Sequence, residues 1–174
     1  MRTNYDFIVG IDPDVDKSGY AVLNCQERKV ATIDALCFFQ LQSHLVTLAE
    51  CARLADSRLV VVVEASWMIT GNWHVTKNDR RNRAAAKGYD VGRNHQVGML
   101  IVEMCKAHGI PVVEHIPLRK CWAGKDRKIT HEELVQFCPV EKSRTNQEMR
   151  DAALLAWAFA DYPIRMKAPL NCKG

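Results

Sequence analysis

The chain has 174 residues, 48% of them apolar and 25% charged, a balance that suits one globular domain with a full core and excludes a disordered or low-complexity protein. No apolar run reaches the roughly 18 residues that a membrane span needs, and residues 1–6 offer no hydrophobic signal region, so a cytoplasmic protein making no membrane contact is expected. The net charge of +4 is local: between Asn72 and Arg93 six basic residues (Lys77, Arg80, Arg81, Arg83, Lys87 and Arg93) stand against two acids, while the remainder holds 18 of each sign.

Residues 6–12 read as a buried strand, Pro13 to Gly19 as a turn, 19–24 as a second strand and 29–38 as a third. The links between them are short enough for hairpins, which predicts an antiparallel meander. Residues 43–55 repeat apolar side chains at helical spacing, and 58–64 is an apolar run without alternation, as expected of a strand covered on both faces with a parallel neighbour. A long helix follows over 91–108, stopped by Gly109, then a fifth strand over 110–114. Helices over 130–138, with Thr130 and Glu133 as a capping pair, and over 146–160 close the chain. The expected fold is α/β, with a mixed five-stranded sheet of three antiparallel strands followed by two parallel ones, flanked by helices, in a single domain covering 1–174.

Two of these strands end on acids. Asp12 follows Phe7-Ile8-Val9-Gly10-Ile11, and Glu64 follows Leu59-Val60-Val61-Val62-Val63. One acid at a strand end commonly marks the exit from the core, but the carboxyl ends of parallel strands also form the crevice where α/β sheets bind ligands. Glu148 and Asp151, three apart on the last helix, share one of its faces, while Ala152, Leu155, Ala156 and Phe159 supply an apolar stripe to hold it. Four carboxylates gathered from distant segments suit a hard cation bound by oxygen, Mg²⁺ or Mn²⁺.

The seven cysteines (25, 37, 51, 105, 121, 138 and 172) are odd in number and never form a C-x-x-C pair, so neither a zinc site nor a disulfide framework is indicated. In the basic stretch, cations stand near Trp67, Trp73 and His74. Such interleaving suits nucleic acid, where cations neutralise phosphates and rings stack on unpaired bases.

Ile8-Val9-Gly10-Ile11-Asp12-Pro13 with Ser18-Gly19-Tyr20-Ala21-Val22, then Val61-Val62-Val63-Glu64-Ala65, then Glu148-Met149-Arg150-Asp151-Ala152-Ala153-Leu154-Leu155-Ala156 together resemble the motifs of RuvC-type Holliday junction resolvases, of the ribonuclease H-like superfamily. The resemblance runs in the correct order through nearly the whole chain. It implies metal ligation and catalysis by Asp12, Glu64, Glu148 and Asp151, with two Mg²⁺ or Mn²⁺ ions per site and no small-molecule cofactor. It places a base-stacking aromatic at Trp67, and basic residues near the scissile phosphate at Arg119 or Lys120 and at Lys125 or Lys128. The implied activity is structure-specific cleavage of four-way DNA junctions by two symmetric phosphodiester cuts, in recombination and repair. The implied assembly is a homodimer, for which helix 91–108 is the interface candidate. Whether a branch-migration helicase is a partner stays open.

The chain departs from that pattern in two places. Glu148 stands where an aspartate is usual, and the stretch from Met68 to Tyr89 is longer and more basic, as in a phage-type or divergent member. Two other readings exist. One is the ATP-using relatives of the superfamily, for which 174 residues supply neither the second lobe nor the glycine-rich adenosine motif. The other is a branched-nucleic-acid binder that kept the fold and lost cleavage, against which four intact acids argue, because clustered carboxylates repel one another without a cation.

Overall fold

The computed structural model describes residues 4–69 and 81–166, except for the side chains of 81–84. Five strands, β1 (Phe7–Asp12), β2 (Ser18–Asn24), β3 (Lys29–Leu36), β4 (Leu59–Glu64) and β5 (Val112–His115), form one sheet in the order β3-β2-β1-β4-β5. β1 and β2, and β2 and β3, pair antiparallel; β1 and β4, and β4 and β5, pair parallel. The meander and the mixed sheet are therefore as the sequence predicts.

Strand periodicity of two sorts the side chains between two core layers. Val9, Ile11, Val61 and Val63 face helices α1 (Phe38–Leu54) and α2 (Arg81–Ala107), together with Leu41, Leu45, Ile101 and Cys105. Ile8, Val60 and Val62 face the opposite side, where α4 (Gln147–Phe159) packs with Ile129 and with Leu134 of the short helix α3 (His131–Leu134). The glycines on this second face fix how closely α4 lies. A methyl group at Gly10 would sit 2.1 Å from the Ala152 carbonyl oxygen, and one at Gly19 would sit 1.9 Å from that of Glu148. Only hydrogen at these two positions, facing the backbone of Ala152 and Ala156 at Gly10 and of Glu148 at Gly19, lets α4 rest directly on β1 and β2.

The largest departures from the expected boundaries fall at four places. β3 ends at Leu36, because the Cys37 amide donates to Gln40 Oε1 at 3.2 Å and opens α1 at Phe38, five residues before the predicted start. Among the described residues α2 already runs from Arg81, ten residues before the predicted start at 91; the Ala84-Ala85-Ala86 run favours helix strongly enough to offset Gly88 and Gly92. α3 ends at Leu134, although its predicted cap is present, with the Glu133 amide donating to Thr130 Oγ1 at 3.2 Å. β5 starts two residues late, at Val112, after Pro111, whose carbonyl accepts from the Val61 amide at 2.8 Å. Around α4 burial extends well beyond the expected stripe: Met149, Ala153, Leu154 and Trp157 are buried as well as Ala152, Leu155 and Ala156. Each large member of that set contributes roughly 1.5–3 kcal/mol by leaving water. Among the described residues no helix is long and apolar enough to cross a membrane, and no disulfide joins the six described cysteines.

The close approach of α4 generates a contrast that denaturation can measure. Gly10→Ala or Gly19→Ala should cost at least the roughly 1–3 kcal/mol typical of overpacking, since backbone atoms must move. Gly92→Ala, on an exposed turn of α2 where an added methyl meets nothing within 4 Å, should be neutral or stabilise by up to about 1 kcal/mol. Equal effects at all three sites would refute the packing described.

Candidate active site

Parity carries both strand-end acids to the α4 face. Ile8, Gly10 and Asp12 alternate along β1, and Val60, Val62 and Glu64 along β4, so each terminal carboxylate continues the row that α4 covers. The parallel register, with Ile11 opposite Val63, brings the two ends to the same edge of the sheet. Asp12 pairs with Gly19, the glycine on which the first turn of α4 rests, and that turn begins where Asn146 Oδ1 accepts the Met149 amide at 2.9 Å. Glu148 and Asp151 thereby meet Asp12 and Glu64 around one cavity of about 190 Å³.

All four acids are half-buried. Burial pushes Asp12 well above the usual carboxylate range, helped by repulsion from Glu64, Asp151 and Glu148 and opposed by Lys128. Burial and the charge of Asp151 raise Glu64 to about 7, against the pull of Lys120, Lys128 and a hydrogen bond from the Leu118 backbone. Asp151 is raised by burial too; it accepts a hydrogen bond from Gln147 Nε2 at 2.8 Å and has Lys128 Nζ at 4.0 Å. Negative charge is held here against its solvation preference, which leaves the cluster in need of positive charge.

The cationic rim of the cavity is Arg119, Lys120 and Lys128. Of the predicted alternatives Lys125 and Lys128, the geometry brings Lys128 to the acids; Lys125 is exposed and outside the cavity lining. Asp14, Ser66, Asn94 and Trp122 also line it, and none of the four was legible as a site residue from sequence. Spacing gives no signal for them, because a turn, a 3₁₀ segment, α2 and a loop are joined only in space. Three of them also hold the fold: Asn94 Oδ1 accepts from the Val15 amide at 3.2 Å and ties α2 to the turn after Asp12, Asp14 Oδ1 accepts from the Asp16 amide at 2.9 Å within that turn, and Trp122 stacks on Phe137.

Trp67 is not part of the cavity lining. Its ring meets α2 at Gly98, where a methyl would lie 2.3 Å from it, and its Nε1 donates to Glu114 Oε2 at 3.0 Å. Lys87 and Arg93 lie on the N-terminal half of α2, with the Arg93 guanidinium 5.6 Å from the Tyr89 ring centre. Trp73, His74, Lys77 and Arg80 fall outside the described residues, as do the side chains of Arg81 and Arg83.

Oxygen donors of this kind fit Mg²⁺ or Mn²⁺, and the electrostatic strain on three of the four acids fits a dication as counter-charge. As placed, the carboxylates surround a cavity instead of closing on a point: among the described residues no three His, Cys, Asp or Glu side chains stand ready to hold one ion.

The sequence matches no protein-family model and no curated protein. Among solved structures the chain is similar to RuvC of Thermus thermophilus in complex with a Holliday junction substrate, at 13% identity over 88% of this chain and 94% of that one, with a TM-score of 0.50. A second structure of Thermus thermophilus RuvC matches at 13% identity, covering 89% and 96%, with a TM-score of 0.48. The large terminase nuclease of a thermophilic phage matches at 15% identity, covering 92% and 84%, with a TM-score of 0.34. The first of these likenesses shows the fold to be ribonuclease H-like, as the strand order and pairing also indicate.

The raised carboxylates make stability depend on pH in a defined direction. In the unfolded chain they titrate near 4, whereas the folded protein holds their protons to higher pH, up to about 7 for Glu64. The folded state binds the extra protons, so metal-free stability should fall as pH rises from about 4 to about 7, by on the order of 3 kcal/mol for Glu64. Urea unfolding in chelator at pH 5 and pH 8 measures it, and Asp12→Asn should shrink the difference; a stability that rises over this window would contradict the electrostatics given. For Trp67, lost packing against α2 predicts a cost of roughly 2–4 kcal/mol for Trp67→Ala. A thermal midpoint unchanged by that substitution would contradict the packing described.

Proposed function

We propose that the protein is a divalent-metal-dependent endodeoxyribonuclease that resolves four-way DNA junctions in recombination and repair, acting in the cytoplasm as a two-fold homodimer. The observation that carries this reading is the gathering of Asp12, Glu64, Glu148 and Asp151 from β1, β4 and α4 around one cavity whose rim is cationic. The fold supports it, being one on which RuvC is built.

Asp12, Glu64, Glu148 and Asp151 would hold two Mg²⁺ or Mn²⁺ ions, which when bound supply a lowered water pKa and stabilise charge on the attacking and leaving oxygens. Lys120 and Lys128, close enough to Glu64 and Asp151 to act on their protonation, offset negative charge as it develops on the phosphate. Arg119, at the rim, anchors a neighbouring phosphate and so fixes the register of the strand. Glu148 reaches one methylene further than an aspartate and lies in the turn of α4 that rests on Gly19, so the helix position sets its reach. Lys87 and Arg93 on α2, with Trp73, Lys77, Arg80, Arg81 and Arg83 earlier in the sequence, would contact the arms of the junction.

A junction needs two symmetric cuts, which a two-fold dimer supplies with one site per subunit. α2 is the proposed contact: its described part leaves Tyr89, Met99 and Leu100 exposed.

A second reading, a junction-binding protein without cleavage, is favoured by one observation, that no three described acids are placed to hold one ion. Cleavage of a synthetic four-way junction beside linear duplex separates the two. The nuclease reading predicts Mg²⁺- or Mn²⁺-dependent nicks placed symmetrically across the junction, lost by roughly 100-fold or more in Asp12→Asn. Junction binding without any cutting would establish the second reading, and equal cutting of linear duplex would remove junction specificity alone.

A further inference from the structure

The segment carrying Lys120 and Lys128 is a loop that does not hold itself in place. Asp126 and Arg127 both adopt left-handed backbone, at φ of 55° and 59°. Two consecutive residues other than glycine in that region cost roughly 1–2 kcal/mol each and persist only where surrounding contacts impose them. The internal bonds of the loop are few: the Trp122 amide to the Arg127 carbonyl and the Gly124 amide to the Lys128 carbonyl, both at 3.1 Å, with two turn bonds inside them. Outside it, Ile129 is buried in the core and Trp122 stacks on Phe137, and two charged side chains add hydrogen bonds. The Glu133 carboxylate accepts from the amides of both Ala123 and Thr130, at 2.9 Å each, and so clamps the two ends of the loop. Arg150, on α4 between Glu148 and Asp151, donates through Nε to the Ile129 carbonyl at 2.8 Å, directly after Lys128, and through Nη1 to the Thr145 carbonyl.

Arg150 has a further contact that joins the loop to the acids. Its Nη2 donates to Gln147 Oε1 at 2.9 Å, and Gln147 Nε2 in turn donates to Asp151 Oδ1 at 2.8 Å. A continuous chain therefore runs from the Ile129 carbonyl through Arg150 and Gln147 to one oxygen of Asp151, leaving the other oxygen toward Lys128. Neither Arg150 nor Gln147 lines the cavity. The bond roles are fixed by chemistry: guanidinium can only donate, so the Gln147 amide must turn its oxygen to Arg150 and its nitrogen to Asp151. Arg150 thus determines which way Gln147 faces, and Gln147 determines which lone pairs of Asp151 remain for a ligand.

We infer that Gln147 and Arg150 are positioning residues that set the Asp151 carboxylate and the Lys128-bearing loop in one frame, so that acid and cation meet the scissile phosphate together. This rests on the nuclease reading for its purpose but not for its geometry. Outer partners of ligating carboxylates typically change metal affinity or activity by about 10–100-fold when removed.

The test uses Gln147→Met, which keeps the shape and removes both hydrogen bonds, and Arg150→Lys, which keeps the charge but loses the fork. Amide hydrogen exchange on the full chain reads the loop without metal or DNA: in Arg150→Lys the amides of Trp122, Gly124 and Lys128 should exchange at least tenfold faster, with those of β1 and β4 unchanged. Mn²⁺ titration followed by electron paramagnetic resonance reads the acid: Gln147→Met should weaken binding about tenfold, with its thermal midpoint within a few degrees of the parent. In junction cleavage both variants should lower kcat while leaving KM for DNA within about twofold, the split expected of an interaction used in the transition state. Unchanged loop exchange in Arg150→Lys, or unchanged Mn²⁺ binding in Gln147→Met, would overturn the inference. A parent protein that neither binds Mn²⁺ nor cuts would defeat the nuclease reading, and the exchange result would still decide whether Arg150 holds the loop.

Discussion

The site depends on one close contact, the backbone of α4 lying on the sheet at Gly10 and Gly19. Helices and sheets usually keep a layer of side chains between them, and a helix held off in that way would carry Glu148 and Asp151 away from the strand ends. Here two glycines on adjacent strands, Gly10 met by the backbone of Ala152 and Ala156 and Gly19 by that of Glu148 beside Asp12, remove that layer. Burial of Leu154, Leu155, Met149 and Trp157 then supplies the stabilisation that keeps a charged helix end against a crevice of like charge. The apolar part of α4 and its acidic turn are opposed in energy and joined in one rigid element.

The same opposition explains the electrostatics. Four carboxylates with restricted solvent are costly, and the raised affinity of Asp12, Glu64 and Asp151 for protons measures that cost. Lys120 and Lys128 offset part of it. They do so from a loop with its own backbone strain, which is why its outside supports at Glu133 and Arg150 matter. Stability and ligand demand are thus coupled: what would make the empty cluster unfavourable is what would make it receptive to cations.

Much of this was legible in the sequence, because strands and their parity are local properties. The runs ending at Asp12 and Glu64 fix both the strands and the face each acid takes, and the three-residue spacing of Glu148 and Asp151 needs only a helix to bring them together. What was not legible depends on competition or on space. Residues 38–42 could extend β3 by composition, and Gln40 reaching back to Cys37 decides for helix instead. Residues 81–90 carry glycine and dense charge that suggest a loop, yet they continue α2. The packing partners of Trp67, Gly98 and Glu114, lie 31 and 47 positions away, beyond any local signal. Lys125 and Lys128 differ only through the left-handed turn at Asp126 and Arg127, which no composition signal announces.

Crystals grown with Mn²⁺ and examined by anomalous scattering test most directly whether the four carboxylates constitute one cation site. Manganese peaks inside the cavity bounded by Asp12, Glu64, Glu148 and Asp151, lost in crystals of Asp12→Asn, are the predicted result. An empty cavity at saturating Mn²⁺, or peaks confined to other surfaces of the molecule, would contradict it.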